Sequence, residues 1–297
     1  MGPPEIRPLT AADIPSVVRI ATRQRPSIIA RYSPLWESGR LDGLYVVTVG
    51  RRVAGFGCLS FSSPAEAWIE GLIVDKRLRG HGLGTALGER LLARAAAAGA
   101  RVVRLSTAVT NAPMLHIYLD KLGFHPAGRW LRVFRLSPAA LFDWPAPAAG
   151  PVGPAAAWQF VVESPTYQAA HHLWTTPEDF TVQAELTEPQ LRRLILRGSC
   201  IAIRRRGALC GLGALGPPGQ RNAPQGSLCL LHVAAADGSA FRAVLARAAR
   251  MANEGGLSLA FMIPVPSDAV RRRLIRRAKA YRARWTELVV LEKWLVE

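Results

Sequence analysis

Apolar and polar positions recur along this chain with two periods, and each change of period marks a boundary between elements. Behind Leu9, Thr10 and Asp13 stand three apart at the head of an amphipathic stretch. That pairing predicts a helix start in which Thr10 caps and an acidic third position reaches back to it. Leu44–Val49 and Val53–Phe61 are strand-like runs joined by Gly50-Arg51-Arg52, and residues 67–74 read as the next strand. Leu87, Leu91 and Leu92 share one face of a helix over about 85–98. A strand over 102–107, a helix over about 113–122 and a strand over 130–136 complete the first half. The order predicts an α/β fold with a mixed sheet and helices on its faces.

The second half repeats the later part of this order. Strands are predicted at 228–233, 257–263 and 286–292, with helices over 240–253 and 269–281 between them. Arg129-Trp130 and Arg284-Trp285 fall at matching places, just ahead of each last strand. The chain therefore reads as a degenerate internal duplication. From Pro138 to Pro154 the sequence is PAALFDWPAPAAGPVGP, in which neither helix nor interior strand persists. This divides the chain into a first domain over 1–140, a Pro-rich linker over 141–154 and a second domain over 155–297. On that division the first domain is expected to fold without the second.

Composition narrows the class. Hydrophobic residues make up 49% and charged residues 20% of 297, which excludes wholesale disorder. No run approaches the roughly 18 apolar residues of a membrane span. The start, Met1-Gly2-Pro3-Pro4-Glu5-Ile6, has neither a signal-peptide pattern nor the residue that myristoylation wants at position 6. Cys58, Cys200, Cys210 and Cys229 are scattered, with no C-x-x-C, so the reading is a reducing, cytoplasmic setting without a disulfide framework or zinc site. His171-His172 has no partner at ligand spacing, and no metal is expected. Against 38 Lys and Arg stand 21 Asp and Glu, a net charge of +17 shared between the two halves. Such an excess attracts anions such as nucleic acid, anionic lipid or a phosphorylated cofactor, with a solvated Arg surface as the favoured reading. The densest run, Arg271 to Arg284, carries an apolar stripe of Leu274, Ile275, Ala278 and Tyr281, so a solvated helix face is favoured there over nucleic-acid binding.

The stretch with the most chemistry runs from Val74 to Thr85. A strand ends, Gly80, Gly82 and Gly84 come next, and a helix begins. Glycine lets backbone N–H groups close on phosphate oxygens, and a helix N-terminus adds its unpaired donors and positive dipole end. The Lys-Ser/Thr ending of a nucleotide P-loop is missing. Arg79, Gly82 and Gly84, as R-x-x-G-x-G, resemble the acetyl-CoA loop of the GNAT acetyltransferase superfamily. Asn111, Tyr118 and Gly123-Phe124, as N-x6-Y-x4-G-F, are similar to its second signature, with Met114 standing where the family often has a small residue. The resemblance covers about residues 5–136.

It implies two GNAT-like domains, the second degenerate, with acetyl-CoA as co-substrate. The CoA pyrophosphate would rest on the backbone of Arg79, Gly80, His81, Gly82, Leu83 and Gly84, near the Thr85 hydroxyl. The pantetheine arm would pair with the strand at Leu72, Ile73 and Val74, and Asn111 would bond the arm or the loop. Tyr118 is implied as general acid to the departing thiolate and Glu70 as base to the amine, with His116 as the other candidate base. In the second half the matching loop, residues 234–240, keeps one glycine and carries Asp237, which would repel a pyrophosphate. Pro264-Val265-Pro266-Ser267-Asp268 stands where Asn111 does, so no cofactor is expected there. The domain order and scattered residues such as Ser164-Pro165 are similar to histidine N-acetyltransferase-like proteins, which implies a small-molecule amine or free amino acid as acceptor. A protein N-terminus or lysine as acceptor, and a non-catalytic acyl-CoA-binding regulatory module, stand as the alternatives. The acyl chain and the oligomeric state are left open.

Overall fold

The computed structural model describes residues 3–24, 33, 39, 41–265 and 267–295. Met1 and Gly2 at the N-terminus and Pro266 lie outside them. The chain divides into two compact units, 1–125 with 291–297, and 126–290. The Pro-rich segment 141–154 lies inside the second unit. The last strand, Arg284–Trp294, contributes its final residues to the first.

In the first unit β1 (Pro4–Pro8), β2 (Leu44–Val49), β3 (Arg52–Ser63), β4 (Glu66–Val74) and β5 (Val102–Ala108) lie side by side in sequence order. The pairs from β1 to β4 are antiparallel, and β4 and β5 are parallel. A parallel pair needs a crossover, which α2 (Leu83–Ala97) supplies. One sheet face is covered by α1 (Ile14–Gln24), whose Val17 and Ile20 pack with Phe56, Cys58 and Ile73. A short 3-10 turn, Ala11–Asp13, leads into α1. There the Asp13 carboxylate accepts from the Thr10 N–H at 2.9 Å and pairs with Arg7 at 2.7 Å. The Arg7 guanidinium holds the Asp13 carboxyl well below the usual carboxylate range.

Two irregularities of β4 shape the region around its C-terminal end. Gly55 and Phe56 oppose Val74 and Ile73, but Cys58 opposes Glu70, so two residues of β4 face Gly57 alone. Gly71 occupies this bulge at φ +66°, a conformation that glycine adopts without a Cβ penalty. Directly opposed residues share a face. Glu70 thus shares the Cys58 face, against α1, and not the face of Leu72 and Val74. Second, β4 and β5 pair only from Glu66↔Val102 to Trp68↔Arg104. Past that rung both strands continue without a shared ladder.

The second unit contains β6 (His125–Leu136), a small hairpin of β7 (Leu173–Thr175) and β8 (Gln183–Glu185), then β9 (Cys200–Arg205), β10 (Ala208–Leu215), β11 (Ser227–Ala235), β12 (Ser258–Pro264) and β13 (Arg284–Trp294). Sheet order is β13-β6-β12-β11-β10-β9. Arg129 and Trp130 lie within β6, and Arg284 and Trp285 open β13, so both strands start earlier than their apolar runs suggest. Helix α3 (Ala112–Leu115) belongs to the first unit, while α4 (Pro154–Glu163), α5 (Pro165–Ala169), α6 (Glu188–Leu196), α7 (Gly238–Glu254) and α8 (Asp268–Ala280) belong to the second. The core gathers Leu131, Val133, Phe241, Val244, Phe261 and Leu274. On α8, Arg271 pairs with Asp268 and Glu287, and Arg277 grips Asp143 and lies 5.0 Å over the Trp144 ring centre. Part of its charge therefore goes into packing this unit.

His232 of β11 is 1% exposed, and neither ring nitrogen has a hydrogen-bond partner among the described residues. Burial pulls its pKa down to about 4. The unfolded chain, near 6.5, binds the proton first, so this site withdraws stability as pH falls from about 6.5 to 4 and has no effect above that window. At 1.36 kcal/mol per unit the loss reaches about 3 kcal/mol. His232→Leu is expected to remove that share of the acid sensitivity. Urea unfolding at pH 7 and pH 4.5 checks it, and equal pH dependence in both proteins would count against it.

Candidate active site

The widened gap between β4 and β5 continues into a groove of about 670 Å3 in the first unit. Its walls are the end of β4, the turn into α2, Ala108 at the end of β5, and the helical segment from Asn111 to Lys121. Backbone groups beyond the Trp68–Arg104 rung have no ladder partner across the gap, so a linear ligand carrying amides finds donors and acceptors there.

One end of the groove is the N-terminus of α2. Gly82 caps this helix at φ +73° and ψ −2°, with no side chain of its own to satisfy the first turn. The N–H groups of the first helical turn and the positive dipole end face an anion without competition from an acidic side chain, since the first turn carries none. Gly84 lets the helix start come close to the walls around it. A Cβ there would stand 3.0 Å from Ile117 Cδ1 and 3.7 Å from Leu72 Cδ2. Arg79 is held by the Val74 carbonyl at 3.3 Å and by the Gln24 side chain, which ties the loop to the end of α1.

The opposite wall is α3 and a π-helical turn, His116–Lys121. The Asn111 side-chain amide donates to the Thr107 hydroxyl at 2.9 Å, fixing the start of this wall to β5. Tyr118 is buried and packs edge-on against Phe124, with ring centres 5.0 Å apart. Burial raises the phenol above its usual range, so it stays protonated at neutral pH. His116 lies on the groove with its Nδ1 2.7 Å from the Asp120 carboxylate.

Of the residues singled out in the sequence, Leu72, Ile73, Val74, Arg79, Gly80, Gly82, Leu83, Gly84, Thr85 and Asn111 line this one groove. His81 is exposed and does not line it, Tyr118 is buried without lining it, and Glu70 is buried on the α1 face of β4. The sequence reading missed Gln24, Leu78, Ala108, Pro113, Ile117 and Lys121. Lys121 sits inside the second motif, where its charge was a usable signal, whereas Gln24 reaches the groove only through tertiary folding.

Residues 15–124 match the model of the acetyltransferase (GNAT) family. The chain belongs to the GNAT acetyltransferase family. Ard1 of Thermoplasma volcanium is 30% identical over 42% of this chain and 85% of its own, with a TM-score of 0.37. The GCN5-related N-acetyltransferase of Sphaerobacter thermophilus is similar over the full length, covering 100% of this chain and 98% of its own at 16% identity and a TM-score of 0.55. A candidate acetyltransferase from Pyrococcus horikoshii covers 99% and 90% at 16% identity, with a TM-score of 0.52. The last two share the fold. No curated protein matches the chain.

This GNAT chain is thus an acyltransferase that uses acetyl-CoA as co-substrate and acts on an amine. The groove fits that co-substrate on its own geometry, because the glycine cradle and the open helix N-terminus suit a pyrophosphate and the parted strands suit an extended amide arm. The second unit is different at the matching place. Asp237 caps α7, accepting from the Ser239 and Ala240 N–H groups at 2.8 Å each, and it pairs with Arg205 at 3.0 Å. The donors a phosphate needs are taken by the protein's own carboxylate. Among the described residues no helix is long and apolar enough to cross a membrane.

Proposed function

We propose that this GNAT enzyme acetylates a primary amine of a small molecule or amino acid by direct transfer in a ternary complex, with catalysis in domain 1–140 and a degenerate second domain over 155–297. The observation that carries the reading is the early end of the β4–β5 ladder, which opens into a groove bounded by both sequence signatures. Self-capping of α7 by Asp237 supports a second domain that takes no cofactor. Acetyl-CoA supplies an activated acetyl group as a thioester. Backbone N–H groups from Arg79 to Thr85, with the Thr85 hydroxyl, hold the pyrophosphate. Leu72, Ile73 and Val74 offer their backbone to the arm, and an N–H near Leu72 polarises the acyl carbonyl. Asn111 steadies the arm or the loop. Glu70, on the other face of the bulged strand from Leu72 and Val74, takes the amine proton directly or through water. Tyr118, kept protonated by burial, gives a proton to the departing sulfur.

The test is CoA release by the full chain with acetyl-CoA across amino acids, polyamines, aminoglycosides and short peptides, repeated with Tyr118→Phe. Turnover with a small amine is expected. Tyr118→Phe is expected to lower kcat by about 10²–10⁴-fold while leaving acetyl-CoA affinity intact. Turnover confined to peptides would move the acceptor to a protein. Unchanged kcat in Tyr118→Phe would remove that residue as the acid.

A further inference from the structure

We infer that Glu292 and Lys293, consecutive residues near the end of the chain, are positioning residues that set the two walls of the acetyl-CoA groove; this rests on the reading of that groove given above. Neither residue lines the groove. Successive side chains of a strand point to opposite sides, so neighbours on β13 reach different partners. Glu292 Oε2 accepts from Arg104 Nε at 3.0 Å, and the same guanidinium also binds Glu66. The Arg104 side chain is 5% exposed. Its backbone forms the last rung between β4 and β5, opposite Trp68. A buried cation therefore joins β4, β5 and β13 at the place where the strands begin to part.

Lys293 holds the other wall. Its Nζ donates to the Leu122 carbonyl at 2.6 Å. Leu122 ends the π-helical turn that carries Ile117, Tyr118 and Lys121. An ammonium at that end satisfies a terminal carbonyl and complements the helix dipole. The Leu295 N–H adds a bond to the Arg101 carbonyl at 2.8 Å, keeping this strand end beside β5. The spacing between the strand wall and the helical wall is thus set by one step of the β13 pleat.

The experiment uses the full chain with Glu292→Gln and Lys293→Met, and with Lys293→Arg as the conservative control. Kinetics with acetyl-CoA as the varied substrate are measured beside equilibrium binding of acetyl-CoA and thermal unfolding. Misplaced walls are expected to raise KM and Kd for acetyl-CoA roughly ten-fold in each of the first two variants. kcat is expected to stay within about two-fold, and Lys293→Arg to restore KM. A fall in kcat or melting temperature with unchanged KM and Kd would overturn the inference, because a merely structural role acts that way. Wild-type protein that binds no acetyl-CoA would overturn the groove reading itself.

Discussion

A chain ending at Val290 is expected to lose acetyl-CoA binding and a large part of the stability of its first unit. The deletion removes Glu292 from the buried Arg104, Lys293 from the Leu122 carbonyl, and the fully buried Leu291. Taking one partner from a buried ion pair costs about 3–5 kcal/mol, since the remaining charge stays out of water. Exposing a leucine site adds roughly 1.5–3 kcal/mol. Glu66 still faces Arg104, which puts the ion-pair share at the lower end. At roughly 2–4 °C per kcal/mol, the melting temperature is expected to fall on the order of ten degrees or more. Differential scanning calorimetry with and without acetyl-CoA reads both effects. A truncated chain that melts with the intact one and is equally stabilised by acetyl-CoA would refute this role for the strand end.

Gly82→Val is expected to abolish cofactor binding with less effect on the rest of the fold. At φ +73° an L-residue pays roughly 1–2 kcal/mol, and a β-branched one fares worse than most. No heavy atom lies within 4 Å of a Cβ built there, so the substitution overfills no core. The damage falls on the direction of the N–H groups that open α2. Either the cap rotates to relieve φ and those donors turn away, or the strained cap persists with a side chain over the cradle. Both lower acetyl-CoA affinity, by about 100-fold or more if two charge-assisted hydrogen bonds of roughly 1.5–3 kcal/mol each are lost.

Much of this site was legible in the chain because its chemistry is local. The cradle spans a few consecutive residues at a strand-to-helix junction, and R-x-x-G-x-G records a positive φ at Gly82 and a close approach at Gly84. Thr10 and Asp13 were legible for the same reason, since a capping box acts within one turn. What could not be read depends on pairing between distant segments. The bulge at Gly71 is set by β3, and without it a two-residue period places Glu70 on the face of Leu72 and Val74. β1 is too short and Pro-flanked to show a period. The helix predicted over 113–122 is an α-turn followed by a π-turn, a difference that apolar spacing does not register. In residues 155–226, β7 and β8 are three residues each, too short to show a period. Reading the first domain as 1–140 implied that it folds alone. The contribution of residues 291–295, about 170 positions from Leu122, changes that expectation, because a fragment of residues 1–145 lacks the strand end that meets Arg104 and Leu122.

A calorimetric titration of the intact protein with acetyl-CoA, run beside Gly82→Val, counts the cofactor grooves. The wild type is expected to bind one molecule per chain and the variant none at the same concentrations. Two molecules per chain, or equal binding by Gly82→Val, would contradict the placement of a single cofactor groove between β4, β5 and the N-terminus of α2.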